Sequence, residues 1–319
     1  MVSGNCLEED GVTARTGPSR RQRFARDRFL VFAALPGIVL LVVFHYVPLL
    51  GNVIAFKDYQ PYLGILESPW VGLANFEGVF TGDPVFLNAL SNTLVITLLQ
   101  VVVVFPVPIA LALLLDSLVS ERLKRIVQSV LYLPHFLSWV IVVAIFQQML
   151  GDSGLLNGFL REHDLGSVSV IGSPELFKAL ITSQVLWKDA GWATILFLAA
   201  LSRIDTTLYE ASAMDGAGRW RQLWHVTLPG LRGIIVLLLI LRLGDALTVG
   251  FEQIILQQAA VGTEASEVLD TYVYNNGILA GSWGVSAAVG LVKGLVGVAL
   301  VLGANKLAHR FGEQGVYQR

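Results

Sequence analysis

A chain of 319 residues that is 54% hydrophobic and only 14% charged, with a mean hydropathy of +0.65, is too apolar for a soluble globular domain. Its formal net charge of -2 argues against a nucleic-acid partner, because no basic surplus is available to neutralise phosphates. The one cysteine, Cys6, excludes an internal disulfide and carries no information about compartment.

Taken in chain order, the arginines Arg20, Arg21, Arg23, Arg26 and Arg28 precede an uncharged run over residues 30–50. A cleavable secretory segment has an apolar stretch of roughly 7 to 15 residues, whereas this run matches the roughly 20 needed to cross a bilayer. It predicts a retained first helix, preceded by a basic tail over residues 1–29. Further apolar runs of spanning length fall at residues 92–115, 126–150, 176–201, 231–249 and 285–305. Continuous runs of this length satisfy their backbone hydrogen bonds as helices, not as barrel strands of alternating polarity. The expected fold is an all-α membrane protein with six transmembrane helices over residues 30–310 and a short tail over 311–319.

Lys and Arg are retained on the cytoplasmic side of short loops. With the amino terminus inside, the inner segments hold sixteen: the five arginines above with Arg15, Arg122, Lys124, Arg125, Arg203, Arg219, Arg221, Arg232, Lys306, Arg310 and Arg319. The outer segments hold three, Lys57, Arg161 and Lys178, so both termini are expected in the cytoplasm.

Prolines fall within three of the predicted helices: Pro36 and Pro48 in the first, Pro106 and Pro108 in the second, and Pro134 in the third. Membrane bundles tolerate them because neighbours re-satisfy the freed carbonyls, and each reads as a packing kink or a gating hinge. The sixth helix carries Ser286, Gly290 and Gly294 at four-residue spacing, a stripe that admits close approach of another helix. The long outer loop from Gly51 to about Ser91 contains Trp70, Phe76, Phe80 and Phe86, which suit either the interfacial aromatic belt or contact with an external partner.

The inner loop over residues 204–230 carries the most information. Asp205 is placed to cap a short helix with Leu208, Ala211 and Ser212 on one face, and Gly216 with Gly218 permits a backbone reversal. A second helix follows with Trp220, Leu223 and Trp224 at helical spacing, which Pro229 is expected to stop while starting the fifth span. The product is a helix-turn-helix with Glu210 and Asp215 available to cations. Physics alone leaves two readings: an amphipathic element on the inner leaflet, or a handle gripped by a cytoplasmic partner.

The run Glu210-Ala211-Ser212-Ala213-Met214-Asp215-Gly216-Ala217-Gly218, followed by Leu228-Pro229, resembles the EAA loop of binding-protein-dependent ABC importer permeases. The segments Trp70-Val-Gly-Leu-Ala-Asn-Phe76, Asn92-Thr-Leu94, Leu131-Tyr-Leu-Pro-His-Phe-Leu-Ser-Trp139, Phe197-Leu-Ala-Ala-Leu201, Gly250-Phe-Glu-Gln253 and Asp270-Thr-Tyr-Val-Tyr274 resemble its carbohydrate-uptake, maltose-type branch. Within it they look most like the permeases of aldouronate and other polysaccharide-derived oligosaccharides. The resemblance implies a type I importer bundle in a bacterial plasma membrane, a heterodimer with a second permease, two cytoplasmic ATPase subunits, an extracellular solute-binding lipoprotein and a sugar substrate. It also implies alternating access driven through the loop, with Glu210, Ala211, Ser212, Asp215, Gly216 and Pro229 at the ATPase contact. Ser212 stands where the family has a second alanine. No GxxxxGK[ST] loop is present, so ATP and Mg are expected on the partner ATPase and no cofactor on this chain.

Ionisable residues at membrane depth are functional hypotheses by default. Lys188 and Asp189 fall in the fourth span, Arg242 and Asp245 in the fifth, and Lys293 in the sixth. Arg242 and Asp245, three apart, are expected to pair with each other. Lys293 or Arg242 is expected to approach Asp189, lining a cavity for sugar hydroxyls or a uronate, with Trp187 and Trp192 beside it to stack on sugar rings. A structural ion pair and simple packing are the alternative readings of these residues. The five histidines show no metal-ligand spacing, and no nucleophile, base and orienting group assemble, so no enzyme is expected. A self-sufficient secondary transporter would call for inverted repeats and midplane carboxylates; Asp189 and Asp245 lend that alternative some support, but no repeat is evident.

Overall fold

The computed structural model describes residues 20–310 with Gly312 and Gly315, apart from the side chains of residues 20–27 and Phe29. The remainder of the two predicted tails, with Cys6, Arg15 and Arg319, lies outside the described residues. The chain divides into two units, the first ending at Val53 and the second running from Ile54. The first holds all but the last turn of a helix that begins at Arg20 and continues as the apolar stretch Leu30–Phe56 (α1).

The second unit contains Pro84–Asp116 (α2), Glu121–Tyr132 (α3), Trp139–Glu162 (α4), Pro174–Leu201 (α5), Thr206–Met214 (α6), Arg219–Gly244 (α7), Phe251–Val261 (α8), Leu269–Tyr274 (α9) and Trp283–Arg310 (α10). Among the described residues five helices are long and apolar enough to span, and α5, bent 70° from α6 at the break between them, passes the same test together with it. Among the described residues the β-structure is one isolated bridge between Lys57 and Trp70.

Three of the prolines share one device. Proline has no N–H, and its ring crowds the carbonyl four residues back. In each case the residue just before the proline bonds five residues back instead of four: Val47 N–H to Val42 O, Phe105 N–H to Gln100 O and Leu228 N–H to Leu223 O. A single widened π-turn thus absorbs Pro48, Pro106 and Pro229 without ending the helix. Pro229 therefore does not stop the second loop helix as expected; α7 runs unbroken from Arg219 to Gly244.

Two predicted spans are corrected. The apolar run 126–150 is not one helix, because α3 ends in a 3-10 turn over Leu133–Phe136 containing Pro134, and Leu137 is extended. Ser138 then caps α4, its hydroxyl accepting from the Ile141 amide at 3.4 Å. The fifth span stops at Gly244, five residues early, where Asp245 takes the cap position and the left-handed Gly250 (φ +78°) opens α8. In the outer loop, Phe76 and Phe86 are buried core residues, while Trp70 and Phe80 are exposed. Phe56 stacks on Trp70 at 5.7 Å and packs against Phe76 at 5.3 Å, which joins the two ends of this loop segment.

The core follows α5. Phe197 and Leu201 meet Ala112 of α2 and Leu231 of α7, and Phe177 and Ile181 meet Ile96 of α2 and Ile254 of α8. A buried amide cluster reinforces the second contact: Gln184 accepts from Gln253 Nε2 at 2.7 Å and Gln257 Nε2 at 3.0 Å, and donates to Gln257 at 3.0 Å. These bonds pair the amide atoms of Gln184 and Gln257 and the Gln253 Nε2, leaving the buried Gln253 Oε1 without a partner. α5 also approaches α3 closely, since a Cβ on Gly191 would stand 1.9 Å from the Leu131 carbonyl oxygen.

Candidate functional site

The loop between α5 and α7 folds as its sequence suggests. Asp205 accepts from the Thr207 amide at 2.9 Å, and that bond holds its carboxyl below the usual aspartate range. α6 then reverses through Gly216, whose φ of +75° is a left-handed conformation that a residue with a Cβ resists. Leu208 and Ala211 are exposed, whereas Tyr209 and Ser212 meet α7: the Tyr209 hydroxyl lies 3.0 Å from Thr227 Oγ1. Gln222 Nε2 donates to Tyr209 O at 3.2 Å and to Ser212 Oγ at 3.1 Å. Ser212 thus accepts a hydrogen bond that an alanine there could not. Glu210, Asp215 and Pro229 are exposed, as are Trp220 and Trp224, which pack edge to face at 6.0 Å.

The intramembrane charges pair differently from the expectation. Lys293 bonds Asp270, not Asp189, because Asp270 at the start of α9 packs over the middle of α10. Arg242 donates to Gln100 of α2 instead of forming an ion pair with Asp245, which lies beyond the helix end as its cap. Asp189 takes His135 as partner, Nδ1 to Oδ1 at 2.9 Å, and Trp192 stacks flat on that imidazole at 4.7 Å. Lys188 is buried and donates to the carbonyls of His135 and Leu137 at 2.6 and 2.7 Å. Trp187 packs on Phe146. Adjacent residues on α5 therefore grip the same break between α3 and α4, its backbone with Lys188 and its side chain with Asp189.

The expected meeting of Asp189 and Arg242 holds in a looser sense. Both line a cavity of about 210 Å³ with Gln100, walled by Phe105, Phe197 and other apolar groups. Sequence reasoning missed His135, Gln100 and Asp270 as partners; a lone histidine after a proline and a glutamine in an apolar run carry no spacing signal. Among the described residues no group of acids, cysteines and histidines is arranged to hold a metal.

The profile of the binding-protein-dependent transport system inner membrane components matches residues 104–312. The chain belongs to this family. It is 47% identical over 296 residues, 92% of either chain, to the polygalacturonan/rhamnogalacturonan transport system permease protein YteP of Bacillus subtilis (strain 168). It is 42% identical over 307 residues, 96% of either chain, to protein LplB of the same organism. A crystal structure of a bacterial alginate ABC transporter, in complex with an alginate pentasaccharide-bound periplasmic protein, contains a chain 34% identical to this one. The two superpose with a TM-score of 0.84 over 93% of this chain and 99% of that one. This binding-protein-dependent inner membrane component is thus a multi-pass membrane protein with an importer permease fold.

Proposed function

We propose that the chain is the permease subunit of an ATP-driven oligosaccharide importer, forming part of the translocation pathway and coupling to a separate ATPase through residues 204–230. The observation that carries the reading is the α6 to α7 loop: a capped helix, a left-handed glycine and a second helix, fastened by Gln222 and presenting Glu210 outward. Family membership supports it, as does likeness to permeases of saccharide transport systems. In this reading residues 1–29 and 311–319 are cytoplasmic tails and residues 30–310 the permease domain, an orientation that the excess of Lys and Arg on the inner segments supports.

The partners are a second permease, two ATPase subunits that hold ATP and Mg, and an extracellular binding lipoprotein; the chain itself needs no cofactor and catalyses no reaction. Glu210, Ala211, Ser212, Asp215, Gly216 and Pro229 serve the ATPase contact. Trp187, Lys188, Asp189, Arg242, Asp245 and Lys293 belong to the pathway and the joints that shape it. The test is co-purification of the tagged chain from native membranes, wild type against Glu210→Ala and Gly216→Pro. An ATPase and a second permease retained by wild type, with the ATPase lost from the variants, is the expected result. A chain that purifies alone and still moves solute into vesicles without ATP would overturn the reading.

A further inference from the structure

The start of α3 carries two arginines that the described residues leave unanswered. Lys124 faces Asp116 at 3.7 Å, whereas the side chains of Arg122 and Arg125 are exposed and, among the described residues, make no hydrogen bond or ion pair. Ser120 caps the helix, its hydroxyl accepting from the Leu123 amide at 3.4 Å. Three residues apart, the two guanidiniums are neighbours on the helix surface.

Arg122 also stands at the head of an apolar stripe. Leu123, Ile126, Val130 and Leu133 follow at three- and four-residue spacing, which places them with Arg122 on one helix face, and all four are exposed. The packed face is the opposite one: Lys124, Gln128 and Leu131 are half-buried, and the Leu131 carbonyl lies against Gly191 of α5.

That contact sets the depth of the arginines. From Gly191 to the end of α5 at Leu201 is about 15 Å at the helical rise of ~1.5 Å per residue, half of the roughly 30 Å hydrocarbon core. The contact therefore falls near the midplane. α3 leaves α2 on the side where α5 enters the loop of residues 204–230, so the two helices run antiparallel. From Leu131 back to Arg125 and Arg122 is about 9 and 14 Å, which puts Arg122 level with the end of α5. Arg125 lies a turn deeper, where its long side chain reaches back to the same level.

A phosphodiester over an acyl chain answers this arrangement. Guanidinium forks pair bidentately with phosphate oxygens, and the apolar stripe runs from headgroup level toward the midplane, as an acyl chain does. The cytoplasmic leaflet is the one that carries anionic lipid, and the excess of Lys and Arg puts α3's start on that side. A partner helix would have to bring carboxylates to this depth, whereas the leaflet supplies anionic headgroups there already.

We propose that α3 binds an anionic phospholipid of the cytoplasmic leaflet, its phosphate held by Arg122 and Arg125 and an acyl chain laid along Leu123, Ile126, Val130 and Leu133. The inference takes its orientation from the importer reading and goes beyond it. The test purifies the tagged chain with its bound subunits in detergent containing equal phosphatidylglycerol and phosphatidylcholine of one chain length, and counts retained lipid by native mass spectrometry. Wild type is expected to retain phosphatidylglycerol preferentially, and Arg122→Gln/Arg125→Gln to lower that preference about tenfold or more with the subunits still bound. A photoreactive diazirine residue in place of Ile126, activated in native membranes, is expected to label phospholipid.

A wild type without lipid preference, or a glutamine variant that keeps it, would overturn the proposal. Labelling of the second permease or the ATPase instead of lipid overturns it too, by making the stripe a protein interface. Should the glutamine variant not assemble, Arg122→Lys/Arg125→Lys decides: it keeps the charge and loses the fork, so a fall of about threefold supports the site and no fall overturns it. A chain that holds phosphatidylglycerol through these arginines but brings down no ATPase refutes the importer reading and leaves the lipid site standing. An intact importer with no lipid preference does the reverse.

Discussion

A single methyl group at Gly191 offers the sharpest test of how α5 is held. Its Cβ would stand 1.9 Å from the Leu131 carbonyl oxygen, and ordinary contact begins at 3.4 Å, so α3 and α5 must separate by about 1.5 Å. The obstacle is backbone, which cannot rotate away as a side-chain tip can. Overpacking of this kind costs about 1–3 kcal/mol by itself. Three neighbouring contacts fail with it: the Lys188 bonds at 2.6 and 2.7 Å and the Asp189 to His135 contact at 2.9 Å would be stretched past the ~3.2 Å limit of a good hydrogen bond.

Bonds to charged groups contribute about 1.5–3 kcal/mol each in water-soluble proteins, and about 0.6 on average within membranes. Gly191→Ala is therefore expected to destabilise the protein by about 3–5 kcal/mol, taking the lower values for the membrane. Denaturant unfolding of the purified protein in detergent, followed by tryptophan fluorescence, reads this directly. The same geometry predicts non-additivity: Lys188→Met costs less in the Gly191→Ala background than in wild type, since the bonds it removes are already broken. A Gly191→Ala protein within about 0.5 kcal/mol of wild type, or a strictly additive double variant, would refute this account of the joint.

Three further expectations follow from the loop between α5 and α7. Gly216→Ala, at a φ of +75° with open space around the Cβ, suffers only backbone strain of about 1–2 kcal/mol. Hydrogen exchange over residues 206–227 should quicken about fivefold or more, whereas Gly218→Ala, at φ -71°, should not. Ser212→Ala leaves Gln222 its bond to Tyr209 O and is expected to cost under about 1 kcal/mol, while Gln222→Leu removes both bonds and costs about twice as much; limited proteolysis of the loop ranks the two. The Asp205 cap carries a pH signature. Its folded pKa is depressed, chiefly by the Thr207 amide, so its stabilisation is complete above the ordinary aspartate range and is lost as pH falls through the lower folded value. Exchange of the Thr207 amide should rise in that acid window relative to base-corrected rates, and Asp205→Asn, which keeps an acceptor, should abolish the dependence.

The spans were legible because a bilayer demands about 20 apolar residues whatever the tertiary partners are. The loop was legible because caps and glycine turns are local. The break at Leu133–Ser138 was not, since Leu133, Phe136 and Leu137 are as apolar as the helices they interrupt and an uncharged run with one proline still reads as a span. Phe76 and Phe86 were misplaced for a related reason: an aromatic in a long outer loop reads as interfacial until its distant partners are seen, Ala288 of α10 for Phe76 and Leu269 and Tyr272 of α9 for Phe86. The charge partners were least accessible. Arg242 and Asp245 are close in sequence but fall on either side of a helix end, and Lys293 finds Asp270 across 23 residues.

The pairings separate two kinds of intramembrane charge. Lys188 spends its ammonium on two backbone carbonyls, and Asp189 spends a carboxylate oxygen on His135. Both hold the irregular segment where α3 gives way to α4, and irregular backbone at membrane depth needs partners of this sort. Asp270 and Asp245 are different, for the first keeps a buried oxygen unpaired and the second sits exposed at the end of α7. Ionisable groups at membrane depth are costly even when paired, as Asp270 is with Lys293, and neither this pair nor Asp245 fastens a break between helices as the α5 charges do. Replacing the α5 charges should therefore show first in stability, and replacing Asp245 or Lys293 should show first in what is transported.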